Sequence, residues 1–154
     1  MRRIRRKFQR PKRPWDSAKI KDEKELAKKY GIRRKREIRV AEAVLRRFRQ
    51  RARELIAMKD EEKEKVLIDK LLKLGMLTEG GKDLDDVLGL SVENVLDRRL
   101  QTIVFKKGLA KTPLEARQFI VHGHTKVNGM RTPFPSRLVT LEEEGKIEFT
   151  GRKQ

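Results

Sequence analysis

The spacing of apolar residues changes along the chain and predicts several helices followed by a short β-sheet. Between Lys35 and Met58, apolar residues recur at intervals of three and four, the period of an α-helix that buries one side. Asn128 and Gly129 favour a type I′ hairpin turn, which needs positive φ at both central residues. The pattern predicts helices over 17–30, 35–58, 61–74, 84–88, 92–107 and 113–122, and strands over 125–127, 130–132, 138–141 and 146–149.

Residues that cap helices mark where these helices begin and end. Asp60 and Ser91 are placed as N-caps, since their side-chain oxygens can accept from free backbone N–H groups. Thr112 and Glu115 have the spacing of a capping box around Pro113, a residue suited to the first helical position. The other boundary signals are Asp16 or Ser17 as the first N-cap, and Gly31, Gly75, Gly108 and Gly123 as stops.

The order of these elements predicts a mainly α-helical chain with a small α+β module. Residues 1–15 hold eight basic residues, two prolines and Trp15, which favours an extended arm that is disordered when free. Trp15 is either an anchor in RNA or a cover on the helical core, and the sequence favours the second. A helical region over 16–96 should precede the α+β module over 97–150, in which two helices pack on a short-stranded sheet carrying the Asn-Gly hairpin. Residues 151–154 would form a tail.

Composition indicates that this chain needs a charged partner. Only 36% of its residues are hydrophobic, 42% are charged, and the formal net charge is +18. That charge far exceeds the magnitude of about 2 to 8 that keeps a small domain soluble. We therefore expect a polyanionic partner, either a nucleic acid or an anionic membrane surface.

The excess charge is confined to two blocks. Residues 1–53 hold 23 Lys and Arg against 6 Asp and Glu, and residues 98–137 hold 9 against 1. Residues 54–97 between them hold 6 basic and 12 acidic residues. This alternation predicts two separate surfaces that contact a polyanion, joined by an ordinary solvated segment.

Several classes of function are disfavoured by the sequence. No window approaches the roughly 18 to 20 apolar residues of a membrane span, and the first ten residues lack the apolar core of a signal peptide, so we expect a cytosolic protein with no membrane partner. With no cysteine and two histidines, no metal or other cofactor is expected. No catalytic motif or small-molecule site is visible in the sequence. The acidic run Glu142–Glu144 is interpreted as a solvated turn and not as a catalytic group. The chain is therefore not expected to be an enzyme.

One long segment resembles a known RNA-binding module. Residues 96–129 read LDRRLQTIVFKKGLAKTPLEARQFIVHGHTKVNG, and PSRLV follows at 135–139. This segment resembles the module named after small-subunit ribosomal protein four. With its basic arm and central helices, the whole chain resembles the archaeal and eukaryotic members of that family.

The resemblance implies a structural component of the small ribosomal subunit in the cytoplasm. It implies direct binding to small-subunit ribosomal RNA, nucleation of assembly, and a contribution to translational accuracy through neighbours that include small-subunit protein five. The N-terminal zinc-binding cysteines of some bacterial members are missing here. Two alternatives stay open: a free-standing RNA chaperone or ribosome-associated factor, and an accessory of RNA modification that carries the same module.

Candidate RNA contacts in the module follow from helical spacing. Arg98, Thr102 and Lys106 should lie opposite the apolar stripe of their helix. They are expected to converge with residues of the next helix and strand on one concave surface, which suits folded RNA. Phe119 is expected in the core, whereas Phe105 is left open. The module candidates are Arg98, Arg99, Gln101, Thr102, Lys106, Lys107, Arg117, Gln118, His122, His124, Lys126, Asn128 and Arg131.

Candidates in the first 53 residues come from the arm and the arginine-rich helix. Arginine offers a planar fork of donors that matches a phosphate group. On the helix over 35–58, positions outside the apolar stripe are rich in arginine, with Arg46, Arg47, Arg49, Arg51 and Arg53 close together. The candidates are Arg2, Arg3, Arg5, Arg6, Lys7, Arg10, Lys12, Arg13, Arg33, Arg34, Lys35, Arg36, Arg46, Arg47, Arg49, Arg51 and Arg53.

Overall fold

Helices form most of the computed structural model, which describes residues 7–9, 11–77 and 83–151. The elements are α1 (Ser17–Lys29), α2 (Lys35–Met58), α3 (Glu61–Lys73), α4 (Leu84–Gly89), α5 (Val92–Asp97), α6 (Leu100–Lys106), α7 (Pro113–Val121), β1 (Thr125–Val127), β2 (Met130–Arg131), α8 (Leu141–Glu144) and β3 (Ile147–Phe149). The strands form one antiparallel sheet in the order β2-β1-β3. The predicted class, mainly α with a small sheet, is confirmed in this coarse form.

Helix α2 is the central element of the helical region. It runs over the predicted residues Lys35–Met58, and its buried side chains repeat at helical spacing. Because that stripe faces inward, α1, α3, α4 and α5 all pack against α2. The buried residues of α2 are Ile38, Ala41, Leu45, Ala52 and Leu55.

Three predicted helix starts are confirmed by their cap geometry. The Asp16 carboxylate accepts from the Ala18 N–H at 3.2 Å, and the Asp60 carboxylate accepts from the Lys63 N–H at 3.3 Å. The Thr112 hydroxyl accepts from the N–H of Glu115 at 3.1 Å. Each bond satisfies one of the backbone donors that a helix leaves free in its first turn.

The predicted single helix over 92–107 is wrong. Helix α5 ends at Asp97, and α6 begins only at Leu100. The intervening backbone pairs with a later segment: the Leu100 N–H donates to the Arg137 carbonyl at 2.8 Å, and the Val139 N–H donates to the Arg98 carbonyl at 3.0 Å. The helix therefore breaks at Arg98 and Arg99 because a distant strand-like segment bonds the Arg98 carbonyl and the Leu100 N–H.

The predicted strand over 138–141 is also wrong. Leu138 forms a single β-bridge with Arg99, and Thr140 then caps the short helix α8 through a reciprocal pair of bonds with Glu143. The acidic run predicted as a solvated turn is this helix, and two of its carboxylates are engaged. Glu143 accepts from Arg137 at 2.5 Å, and Glu144 pairs with Arg98 at 2.8 Å.

Two hydrophobic clusters lie on either side of residues 97–99. The first joins buried side chains from Tyr30 to Leu96, and the second joins buried side chains from Leu100 to Val139. That the chain divides into two domains at this point stays a prediction.

The sequence predicted the positions of Trp15 and Phe119, and the structure agrees with only one of these predictions. Trp15 is 88% exposed, so the prediction that it covers the helical core is wrong. Side chains of the helices, such as Leu26 and Phe48, pack against the first cluster. Phe119 packs against the second cluster as expected, with its ring centroid 5.0 Å from that of Phe149.

Gln101 joins the two clusters. Its side chain is 1% exposed, and its amide nitrogen lies 3.1 Å from the Tyr30 carbonyl, 3.0 Å from the Gly31 carbonyl and 2.8 Å from the Pro113 carbonyl. The backbone after α1 is thereby tied to the start of α7. Gly31 has φ +59, and a Cβ there would lie 2.8 Å from the Cβ of Pro113, so this close approach requires glycine.

Glu37 of α2 makes a second link at the junction, which is the place where the segment after α1 meets α6 and α7. The Arg117 guanidinium holds both carboxylate oxygens, at 2.8 and 3.0 Å, and Arg99 donates to one of them as well. Burial by itself would raise the pKa of this carboxyl, but the hydrogen bonds and charges of Arg117 and Arg99 outweigh it and hold the pKa below its ordinary value.

Replacing Gly31 with alanine is expected to cost more stability than replacing Gly108. Both residues have positive φ, +59 and +69, so alanine strains either backbone by about 1 to 2 kcal/mol. Only at Gly31 does the new Cβ meet packed atoms, since nothing lies within 4 Å of it at Gly108. We expect G31A to lose about 1 to 3 kcal/mol more than G108A in urea denaturation. Equal losses would contradict the packing of Gly31 on Pro113.

Glu37→Gln is expected to reduce the unfolding free energy at pH 7 by about 2 kcal/mol, because two guanidinium groups lose their counter-charge. The folded-state pKa of Glu37 is depressed, so its stabilisation is present above the ordinary pKa of about 4.3 and is lost as pH falls through the lowered value. The wild type should therefore lose more stability on acidification below about pH 5 than E37Q does.

Glu42→Gln is the matched control for this experiment. Glu42 lies on the same helix, but its carboxylate is 3.8 Å from the Lys19 ammonium in a looser and more exposed pair. We expect a change within about 0.5 kcal/mol at pH 7. An acid profile of E37Q that superimposes on that of the wild type would rule out the Glu37 tie.

Candidate nucleic-acid interface

The arginines of α2 divide into a solvent-facing set and one structural member. Arg46, Arg47, Arg51 and Arg53 are exposed. Arg49 is half-buried, and its guanidinium donates to the Leu90 carbonyl at 2.6 Å. Among the described residues, Arg47, Arg51 and Arg53 have no carboxylate within ion-pair distance, so their charge is available to a ligand.

Part of the predicted basic arm lies beside α2. The Gln9 side chain accepts from the Arg46 guanidinium at 2.7 Å, and the Arg36 guanidinium lies 5.8 Å from the Phe8 ring centroid. These contacts place Phe8 and Gln9 beside arginines of α2. Lys7, Lys12 and Arg13 are exposed, whereas the candidates Arg2, Arg3, Arg5, Arg6 and Arg10 lie outside the described residues.

A cleft of about 450 Å³ lies where the arm, the start of α2 and the module meet. Glu37 is the carboxylate among its charged walls, and it is engaged by Arg99 and Arg117. The cations outnumber it, so the cleft is strongly positive and can accept phosphate groups. The cations lining this junction cleft are Lys7, Arg34, Arg36, Arg99 and Arg117.

A second cleft continues from the junction cleft along the outer side of α7. It measures about 510 Å³ and shares Arg117 as a wall. Arg33, Gln118 and His122 line it as well, and all three are exposed. The two clefts thus bring candidates from both basic blocks together around Arg117, and we call this pair of adjoining clefts the groove. Lys35 lies near its beginning but pairs with Glu23 at 3.1 Å.

Several module candidates are instead held inside the protein. Arg99 and Gln101 are buried at the junction, and Arg98 donates to the Val139 carbonyl at 3.1 Å. The prediction that Thr102 lies opposite the apolar stripe is wrong: it is 7% exposed, and its hydroxyl donates to the Leu96 carbonyl at 2.7 Å. Because α6 packs against both α5 and α7, residues on more than one of its sides are buried.

The remaining module candidates lie at the surface outside the two clefts. Lys106 pairs with Asp97 at 3.1 Å, and Lys107 donates to the Glu144 carbonyl. Lys126 lies on β1 opposite Arg131 of β2, with Asn128 at φ +53 in the turn between these strands. Of the residues predicted to converge on one concave surface, Arg117 and Gln118 share the second cleft. The others do not line it: Arg98, Thr102, Lys106, His124 and Lys126.

Glu37 is the important groove residue that the sequence reasoning missed. A signal for it was present, since Glu37 is the sole acidic residue in the basic stretch from 33 to 41. A carboxylate that interrupts such a run is a candidate for pairing with cations inside the fold. Its partners Arg99 and Arg117 follow more than sixty residues later, beyond the reach of helical spacing.

None of the helices in the described ranges combines the length and apolar character required to cross a bilayer.

Comparison with known proteins identifies a domain in the second half of the chain. A family model described as the S4 domain matches residues 98–144. This range contains α6, α7, β1 and β2, together with Arg117 of the groove.

Curated relatives extend the similarity to nearly the whole chain. Small ribosomal subunit protein uS4 of Nanoarchaeum equitans (strain Kin4-M) is 52% identical over 153 residues, covering 96% of this chain and 84% of the relative. The protein of that name from Saccharolobus islandicus (strain L.S.2.15 / Lassen #1) is 47% identical over 148 residues, covering 94% and 82%. That of Sulfurisphaera tokodaii is 47% identical over 148 residues, covering 94% and 84%. The chain therefore belongs to the uS4 family of small ribosomal subunit proteins.

Proposed function

We propose that this chain is a structural, non-enzymatic component of the small ribosomal subunit that binds small-subunit ribosomal RNA directly. The observation that carries the proposal is the positive junction cleft, where cations of the arm, α2 and the module surround one engaged carboxylate. The printed name of the relatives and the matched S4 domain support the ribosomal setting.

The proposed RNA surface has two parts. The groove would hold phosphates on Arg33, Arg34, Arg36 and Arg117, and the exposed α2 arginines would extend the contact along a second stretch of backbone. Folded RNA suits such a surface, because its phosphates and 2′-hydroxyls are accessible while its deep groove is not. Gln101 and Thr102 are left out of the proposed contacts, since their polar atoms are bonded inside the protein.

The proposed surface includes further candidates from the module and from the arm. Lys106, Lys107, Lys126, Asn128 and Arg131 are surface residues of the module and could contact neighbouring RNA backbone. The arm residues Arg2, Arg3, Arg5, Arg6 and Arg10 belong to the proposal on their charge alone.

Nucleation of assembly and translational accuracy are proposed as the roles of this binding. A protein that joins a basic arm, a helical region and an S4 domain can hold RNA segments that are distant in sequence, which favours early folding of the RNA. A contact with small-subunit protein five and other neighbours, as the family resemblance implies, would link this RNA to the accuracy of decoding in the cytoplasmic ribosome.

Replacing Arg34 and Arg36 together with alanine should weaken binding to a small-subunit RNA transcript and reduce its salt dependence. Each lost phosphate contact removes about 0.7 to 0.9 from the slope of log affinity against log salt, so R34A/R36A should lower it by about 1.4 to 1.8. Filter binding at several salt concentrations measures both quantities.

Lys21→Ala/Lys24→Ala provides the control, because these exposed lysines of α1 line neither cleft but remove the same charge. Their slope should stay near that of the wild type. Identical slopes for the two double variants would show that net charge, and not the groove, binds the RNA. A wild-type slope below about 2 would contradict the proposed function itself.

In cells that make this chain, we expect it to sediment with mature small subunits at one copy per subunit. A resident structural component stays bound through a sucrose gradient, whereas an RNA chaperone or an accessory of RNA modification leaves after its step. Quantitative mass spectrometry against other small-subunit proteins measures the ratio. A ratio far below one, with the chain confined to immature particles, would favour the chaperone alternative.

A further inference from the structure

A third concavity, of about 400 Å³, continues the groove beyond the second cleft. It shares Gln118 and His122 with that cleft, so its mouth adjoins the positive part of the groove. Its character is different, because aromatic rings form much of its wall. The residues that define this aromatic pocket are Glu115, Gln118, Phe119, His122, His124 and Phe149.

The rings in the aromatic pocket present flat faces in a fixed arrangement. The imidazoles of His122 and His124 lie within 18° of parallel, with centroids 6.3 Å apart. Phe119 contacts His124 edge-on at 6.3 Å, and Phe149 packs on Phe119. The Thr150 N–H donates to the His124 carbonyl at 2.8 Å, which ties the histidine backbone to the segment after β3. Such faces stack planar heterocycles without regard to charge.

Polar groups in the same wall can read the edge of a planar ligand. One oxygen of the Glu115 carboxylate accepts from the Lys111 N–H at 2.6 Å, which orients the group and leaves its other oxygen without a described protein partner. Gln118 is exposed and supplies both a donor and an acceptor. A carboxylate favours a base that offers an amino group and disfavours the carbonyl edge of uracil.

We propose that the aromatic pocket receives one unpaired, amino-bearing nucleobase of the RNA bound in the groove, stacked on the His122 and His124 rings. The inference rests on the proposed function, because the phosphates held by Arg33 and Arg117 bring the next nucleotides to the pocket mouth. Its volume lies within the range of about 300 to 1,000 Å³ that is usual for small-ligand sites. Stacking of the base adds to the affinity that the arginines supply, and the polar groups at its edge add sequence preference.

The test is the double variant H122A/H124A, measured by filter binding against the same small-subunit RNA transcript over several salt concentrations. Loss of stacking on one base should weaken binding about 10- to 100-fold. Because stacking releases no counterions, the salt slope should equal that of the wild type. Phe134→Ala removes another exposed ring, one that lines none of the three concavities, and should leave the affinity unchanged.

Two further measurements separate stacking from other roles of the histidines. His124→Phe in the His122→Ala background should recover much of the lost affinity, since phenylalanine stacks as well as imidazole does. Chemical probing of the RNA should show one unpaired base that the wild type protects and H122A/H124A leaves reactive. Both histidines are exposed, so circular dichroism should show an unchanged fold.

Glu115→Gln tests the preference of the pocket independently. Glutamine can still accept from the Lys111 N–H, so the start of α7 is preserved. With transcripts in which the protected base is replaced by uracil, the wild type should bind several-fold more weakly, and E115Q should lose most of this difference.

The outcomes separate this inference from the proposed function. A steep wild-type salt slope with unchanged affinity of H122A/H124A would overturn the base pocket alone, as would a slope reduced by about one or a failure of phenylalanine to rescue. Failure of the wild type to bind the transcript would overturn the proposed function.

Discussion

The carboxylate of Glu37 is the contact on which the rest of this structure depends. The chain carries a net charge of +18, and its two basic blocks meet at one junction, where like charges oppose close approach. Glu37 lies between the guanidinium groups of Arg99 and Arg117 and accepts hydrogen bonds from both. Its depressed pKa keeps it ionised at neutral pH. Gln101 adds uncharged bonds to the same junction, so the two hydrophobic clusters are tied without further charge.

The pairing of Glu37 with Arg99 and Arg117 also fixes part of the groove before a ligand binds. Arg117 is held by a bidentate pair before any RNA arrives, so it loses less side-chain freedom on binding than a free arginine would. The cations around it, Arg33, Arg34 and Arg36, stay exposed. The cleft contains one engaged carboxylate and several available cations, so it can still bind phosphate. The pairing of Glu37 with Arg99 and Arg117 maintains its shape. The aromatic pocket continues this shape with a surface that does not depend on charge.

Arginine therefore has two roles in this chain that a charge count cannot separate. Arg49, Arg98 and Arg99 donate to carbonyls or carboxylates of the protein and stabilise its helices and its junction. Arg47 and Arg51 are exposed and keep their charge for a ligand. The difference lies in which elements pack beside each residue, because a guanidinium reaches carbonyl groups only where a neighbouring element presents them.

The sequence by itself determined the features that depend on contacts within one or two helical turns. The span of α2, the caps at Asp16, Asp60 and Thr112, and the family resemblance were all readable, because periodicity and cap chemistry are local. Only the tertiary structure decided the break at Arg98, the burial of Thr102 and the exposure of Trp15. The partners that set these outcomes lie in other elements: the segment 137–139 bonds the Arg98 carbonyl and the Leu100 N–H, and α6 packs against both α5 and α7. The groove belongs to this second class, since its walls come from segments as far apart as Lys7 and Leu138, which meet only in the folded chain.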